Sequence, residues 1–468
     1  MSPDSRAARL HSLVRPVARR FPPGTFDRLR PLAARLSRAR AQLLLGAVLL
    51  AVFAVREWAS VVFWTSSDRI PGPNPDSPDY AYAAQSLLQG HYLVSWQGFE
   101  RLPYYTPGLS LLLVPSVALG GVRAAVWTSY VAALVVGGVV AALAHRVGPP
   151  LAAPLAILAT LFTPAAHLFA SIVMTEMPAA ALLGLEAALL VTGRARWQLL
   201  AAGALGAVLT WMRPASCVFL LAGVAGLTAS SSGWSARMRF YLVGAVPILV
   251  LLGIWLWATF GSPLSTPYAA LRGGSDPGAP DNLFALSYAS TPATSADGAE
   301  LGGAGVQWHL PNDILYPLQL IGADGFLLRP GIGLLGVMGL LLLARSPLPA
   351  AATLGRFGLG VVILTLAVYV PYYYQSGRFL VGAAVFVGLG AGVMLARAIG
   401  IATEWVAGLV AAAGTRSRST WSGGCSIATR DGSCQYAPQP SLDPAAGVRV
   451  PPPLPRTRQG RPSELLED

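Results

Sequence analysis

AQLLLGAVLLAVFAVREWASVVFW, residues 41–64, runs for 24 residues with only one adjacent charge pair, Arg56 and Glu57. A helix of that length covers about 36 Å at 1.5 Å per residue. That exceeds the roughly 30 Å hydrocarbon core of a bilayer, so the run reads as a membrane span. Further apolar runs follow at about 107–121, 124–144, 149–170, 177–192, 199–229, 240–260, 326–344, 357–374, 379–396 and 398–413. The 468 residues are 54% apolar and only 12% charged, with a mean hydropathy of +0.55. Soluble domains carry about 25% charged residues. This excludes a soluble domain, extended disorder and a soluble nucleic-acid binder, despite the +12 net charge. An all-α polytopic membrane protein remains.

The charge has a location. Residues 1–40 hold ten Arg against Asp4 and Asp27, and no Lys occurs in the chain. Excess Arg marks cytoplasmic segments, so residues 1–40 read as a cytoplasmic arm that can also rest on anionic headgroups. The segment shows no short apolar stretch ending in a cleavage site. By the same rule 193–198 and 235–240 are cytoplasmic, and the run 199–229 between them must go out and return. Its midpoint, Arg213-Pro214, then sits at an outer apex, because an Arg in mid-membrane is costly. Two polar stretches lie outside. Residues 66–106 hold four acids and two Arg and read as short amphipathic helices; the Gly/Ala/Pro-rich 261–325 holds six acids and one Arg. Residues 414–468 read as a disordered Pro/Arg-rich cytoplasmic tail, which leaves 41–413 as the transmembrane domain. Parity makes one of the three runs between 107 and 170 a partial insertion, and 107–121 is the shortest.

Chemistry-bearing residues concentrate in the first outer stretch. PNPDSPDYAYAAQSLLQG, residues 73–90, places Asp76 and Asp79 one helical turn apart, followed by Tyr80. Carboxylates three apart share a helix face, which suits a base with its helper or a pair of cation ligands. Asp and Pro at a helix start also serve purely structural ends. His91, His167 and His309 could join carboxylates around a divalent cation, but no HExxH-type spacing occurs. Glu100-Arg101 reads as a local surface pair, and Tyr372, Tyr373 and Tyr374 as an interface belt. Cys217, Cys425 and Cys434 fit neither a zinc pattern nor a disulfide framework. No GxxxxGK[ST] loop is present, which argues against a nucleotide-driven machine.

DSPDYAYAAQSLLQG, followed by LPYYTPGLSLLLVP at 102–115, resembles the first outer loop of the GT-C glycosyltransferases. These multi-spanning enzymes take sugar from a polyprenyl-phosphate carrier; protein O-mannosyltransferases and the lipid A aminoarabinose transferase are members. The family's leading Asp stands four residues before a Tyr, which places Asp76 there; its usual Glu neighbour is replaced by Ser77, with Asp79 as a substitute. Tyr105-Thr106-Pro107-Gly108 is similar to the family's turn into the next helix. SIVMTEMPAAALL (171–183, with Glu176), LTWMRP (209–214, with Arg213) and YYYQSGRFLVGA (372–383, with Arg378) agree in order. The resemblance covers about residues 41–400.

It implies a GT-C-like bundle of about 10–12 transmembrane helices in the inner (plasma) membrane, with the active site on the extracytoplasmic side. The implied reaction moves a sugar from a polyprenyl-phosphate carrier to an acceptor hydroxyl on a glycan, lipid or protein, with inversion. Asp76 is then the general base. Asp79 supports it or joins Glu176 in holding a divalent cation, and Glu176 alternatively orients the acceptor. Arg213 and Arg378 hold the donor phosphate, because a guanidinium is always charged and matches phosphate oxygens in pairs. Tyr80 and Tyr105 contact substrate. Two other readings stay open: a transporter or flippase of lipid-linked sugars, and a catalytically inactive envelope scaffold. A transporter concentrates ionisable groups near the midplane, where this sequence offers Glu186 alone as a clear mid-helix acid. A scaffold would tolerate loss of Asp76.

Overall fold

Backbone groups in a bilayer must find their partners within their own segment, and the apolar runs accordingly fold as helices. The computed structural model describes residues 25–67, 69–72, 76–96, 99–103, 105–193, 195–229, 233–263, 316–322, 325–370 and 377–421. Most of the 261–325 loop and the tail from 422, with His309 and Tyr372–Tyr374, fall outside the described residues.

In chain order, α1 is Thr25–Ser66, α2 Asp76–Leu87, β1 Val94–Trp96, β2 Phe99–Arg101, α3 Gly108–Gly120, α4 Val126–Val147, α5 Ala152–Leu161 and α6 Pro164–Ala170. Then come α7 Glu176–Thr192, α8 Arg196–Met212, α9 Phe219–Leu227, α10 Trp234–Phe260, α11 Ile332–Ala344, α12 Pro349–Tyr369 and α13 Val381–Trp421. Five helical stretches are long and apolar enough to cross a membrane: Arg40–Ser66, Val122–Val147, Trp234–Phe260, Pro349–Tyr369 and Gly377–Ala411. A sixth is the pair α5–α6, bent by 71°. Pro164 breaks that pair, since it has no N–H to donate, and the Thr163 hydroxyl caps α6 by accepting from Ala166 N at 3.1 Å. The shorter apolar helices include α3 and α11, with α7 and α8 at 17 residues each. One helix, α13, covers both runs expected at 379–396 and 398–413. The chain divides into two compact units, residues 1–403 and 404–468; in the second, Trp405, Val406, Leu409 and Val410 are exposed.

Helix α3 has 13 residues. Its Leu109, Leu113 and Val117 are buried with Tyr80, Ala81 and Ala84 of α2, Val61 near the end of α1, and Met212 at the end of α8. It therefore lies across one end of the bundle rather than through it. The stretch 66–106 contains α2 and an antiparallel hairpin pairing Val94 with Arg101, which the reading as short helices had not included.

The run 199–229 does double back. Gly206 on α8 and Gly223 on α9 both face the Glu186 carboxyl, so the chain has reversed between them, at Arg213. Close helix contact comes from small residues, as expected in lipid: a Cβ at Gly203 or Gly244 would overlap backbone of the facing helix in the α8–α10 pair.

Candidate active site

Local sequence puts five chain segments at the same end of the bundle. Asp76 opens α2, where a carboxylate suits the positive helix N-terminus, and Ser77 fastens that start by donating to the Val173 carbonyl at 2.7 Å. Val173 N in turn donates to Pro71 O at 3.0 Å. Three residues beyond Val173, Glu176 opens α7, with Pro178 tolerated in the first turn. Arg213 is extended (φ −147°, ψ 114°), as the residue before a proline prefers, and it caps α8. Arg378 and Phe379 lie on the short helical turn Gly377–Leu380 that leads into α13. Tyr105 follows the β hairpin.

Two ion pairs result. Arg378 Nη1 donates to Asp76 Oδ2 at 3.0 Å across 302 residues, and the Tyr105 hydroxyl donates to Asp76 Oδ1. Arg213 pairs with Glu176 Oε1, while Glu176 Oε2 is buried with no hydrogen-bond partner among the described residues. The Glu176 side chain is fully buried, whereas Asp76 keeps 16% and Arg378 19% of their side-chain surface exposed. Asp76 is thus the more reachable carboxylate. The Tyr80 and Tyr105 rings stack at 4.6 Å. Burial first, then nearby negative charge, pushes the Tyr80 phenol well above its ordinary range. Tyr105 rises too, through burial, Tyr80 and Asp76. Both stay neutral and can donate hydrogen bonds.

Asp79 is placed differently. Its carboxylate receives two hydrogen bonds from Arg101 Nη2, at 2.6 and 2.8 Å, so it tethers strand β2 to α2. Burial holds the Asp79 carboxyl above its ordinary range, while the Arg101 guanidinium opposes that rise. Glu100, expected to form a local surface pair with Arg101, is exposed. His167 is also committed elsewhere, with Nδ1 2.6 Å from the buried Glu57 carboxylate. The buried Glu186 accepts from the Tyr241 hydroxyl at 2.7 Å. Among the described residues no group of three His, Cys, Asp or Glu gathers as for a metal ion.

Sequence reasoning missed Tyr369 and Phe379. The Phe379 ring lies under both site arginines, 5.1 Å from Arg213 Cζ and 5.0 Å from Arg378 Cζ, and stacks on Tyr369 at 4.6 Å. The sequence signal for Phe379 was its place directly after Arg378 in the stretch 372–383, while Tyr369 lay inside the apolar run 357–374.

No family model and no curated protein matches the chain. Solved structures do. ArnT from Cupriavidus metallidurans bound to undecaprenyl phosphate is 17% identical at a TM-score of 0.51, over 78% of this chain and 64% of that one. Apo ArnT gives 17% and 0.48, over 74% and 59%. The archaeal oligosaccharyltransferase AglB from Archaeoglobus fulgidus, in complex with an inhibitory peptide and a dolichol-phosphate, gives 13% and 0.47, over 78% and 51%. This chain therefore spans less than two thirds of the length of each. The likeness to lipid-bound ArnT is one of fold. The chain has the fold of the GT-C membrane glycosyltransferases.

Proposed function

We propose that this protein transfers a sugar from a polyprenyl-phosphate carrier to an acceptor hydroxyl, at the extracytoplasmic face of the inner membrane. One observation carries the reading: a partly accessible carboxylate, Asp76, shares one end of the bundle with two arginines drawn from distant segments. ArnT, whose fold the chain shares, was crystallised with undecaprenyl phosphate, and a lipid of that chemistry suits this arrangement.

The reaction follows from the groups present. An acceptor oxygen attacks the anomeric carbon as its proton passes to Asp76. The bond from that carbon to the phosphate oxygen breaks, and its electron pair goes to the phosphate. Arg213 and Arg378 meet the negative charge developing there. Attack opposite the leaving phosphate inverts the anomeric centre. To bind phosphate, each arginine must loosen its carboxylate partner, and Tyr105 keeps Asp76 oriented when Arg378 does so. Asp79, committed to Arg101, supports the loop rather than the proton transfer.

The test is incubation of purified protein, reconstituted in lipid, with a panel of polyprenyl-phosphate sugars while release of free polyprenyl phosphate is followed. Release with at least one donor, dependent on Asp76, is expected. Normal sugar transfer by Asp76→Asn would remove Asp76 as base.

A further inference from the structure

Phe379 has a position that core packing alone does not account for. Two guanidiniums repel each other, yet both approach one ring to about the same distance, within the roughly 6 Å over which a ring face attracts a cation. The ring is fixed in turn by parallel stacking on Tyr369, with an interplanar angle of 6°. Tyr369 ends α12 and Arg213 follows α8, so the ring joins three segments: the end of α12, the α8–α9 turn and the start of α13.

We propose that Phe379 is a positioning residue that holds Arg213 and Arg378 at one shared spacing, so that both grip a single phosphate of the polyprenyl donor. This rests on the donor reading given above. In the resting site each arginine meets both a carboxylate, Glu176 or Asp76, and the ring. When phosphate displaces the carboxylates, the ring still lies against both guanidiniums. It keeps the guanidiniums from drifting to separate sites and needs no charge of its own. A leucine fills comparable space without the quadrupole; a tyrosine keeps it.

Binding of undecaprenyl phosphate and of uncharged undecaprenol is measured on the purified full-length protein in nanodiscs, for wild type, Phe379→Leu and Phe379→Tyr. Phe379→Leu is expected to weaken undecaprenyl phosphate on the order of tenfold and to leave undecaprenol unchanged, with Phe379→Tyr restoring the phosphate preference. Equal binding of the phosphate by Phe379→Leu and wild type overturns the proposal. So does a parallel loss of undecaprenol, which would assign Phe379 to packing. If wild type itself does not prefer the phosphate to the alcohol, the donor reading fails, and this inference fails with it.

Discussion

Asp76 and Asp79 stand three residues apart on one helix, yet the structure gives them different work. Asp76 meets Arg378 and Tyr105 at the end of the bundle, while Asp79 is spent on Arg101. Asp76→Asn keeps an oxygen for Tyr105 but cannot take a proton, so turnover should fall by about 10²–10⁴-fold, with the melting temperature unchanged. Asp79→Asn should cost less activity. Its stability effect follows from sign: burial holds the Asp79 carboxyl above its ordinary range, so folding favours the protonated form. That contribution is present in acid and lost as the pH rises through the raised value. At neutral pH the charge adds nothing to stability, and Asp79→Asn should melt no lower than wild type. A clear drop in melting temperature would show that the Arg101 contact outweighs burial. Arg213→Lys and Arg378→Lys keep charge but lose the planar two-pronged donor. Donor KM should rise in both, and an unchanged KM in both would remove the phosphate clamp.

Between helices, the decisive feature is the glycine contact of α8 with α10. A side chain at Gly203 or Gly244 meets backbone, which cannot swing aside as a flexible side chain can. Gly203→Val should therefore force the pair apart, with an overpacking cost of about 1–3 kcal/mol. Gly138, on α4, faces open space, so Gly138→Ala should be neutral or stabilising by up to about 1 kcal/mol. Thermal unfolding of the detergent-solubilised proteins separates the two, and equal melting temperatures would mean that α8 and α10 tolerate separation. The end of α8 matters for function as well, since it carries Arg213. Loosening this pair should lower donor affinity along with stability.

At the scale of the whole molecule, the doubled-back run from α8 to α9 and the capping position of α3 put Asp76, Glu176, Arg213 and Arg378 at one end. Ser77 is sealed against Val173, so accessibility is better read at exposed Gln89. In a variant lacking the three native cysteines, Gln89→Cys should react with an impermeant maleimide from outside intact cells. Trp197→Cys, exposed at the start of α8, should react only after permeabilisation. Outside labelling of Trp197→Cys would break the proposed orientation.

Composition and apolar periodicity by themselves determined that the chain is a helical membrane bundle, because spanning segments must be long, apolar and internally hydrogen-bonded. Asp76, Glu176, Arg213 and Arg378 were singled out through the stretches that carry a family resemblance, and each interrupts or borders an apolar run. Partner choice was not legible. Arg378 meets Asp76 across 302 residues, Arg101 meets Asp79 across 22, and Phe379 comes to lie under two arginines. Such contacts depend on how helices pack and where α3 lies, and hydropathy along the chain carries no information about which polar ends meet. Tertiary structure alone decided which carboxylate stays available for chemistry and which is committed to holding the loop.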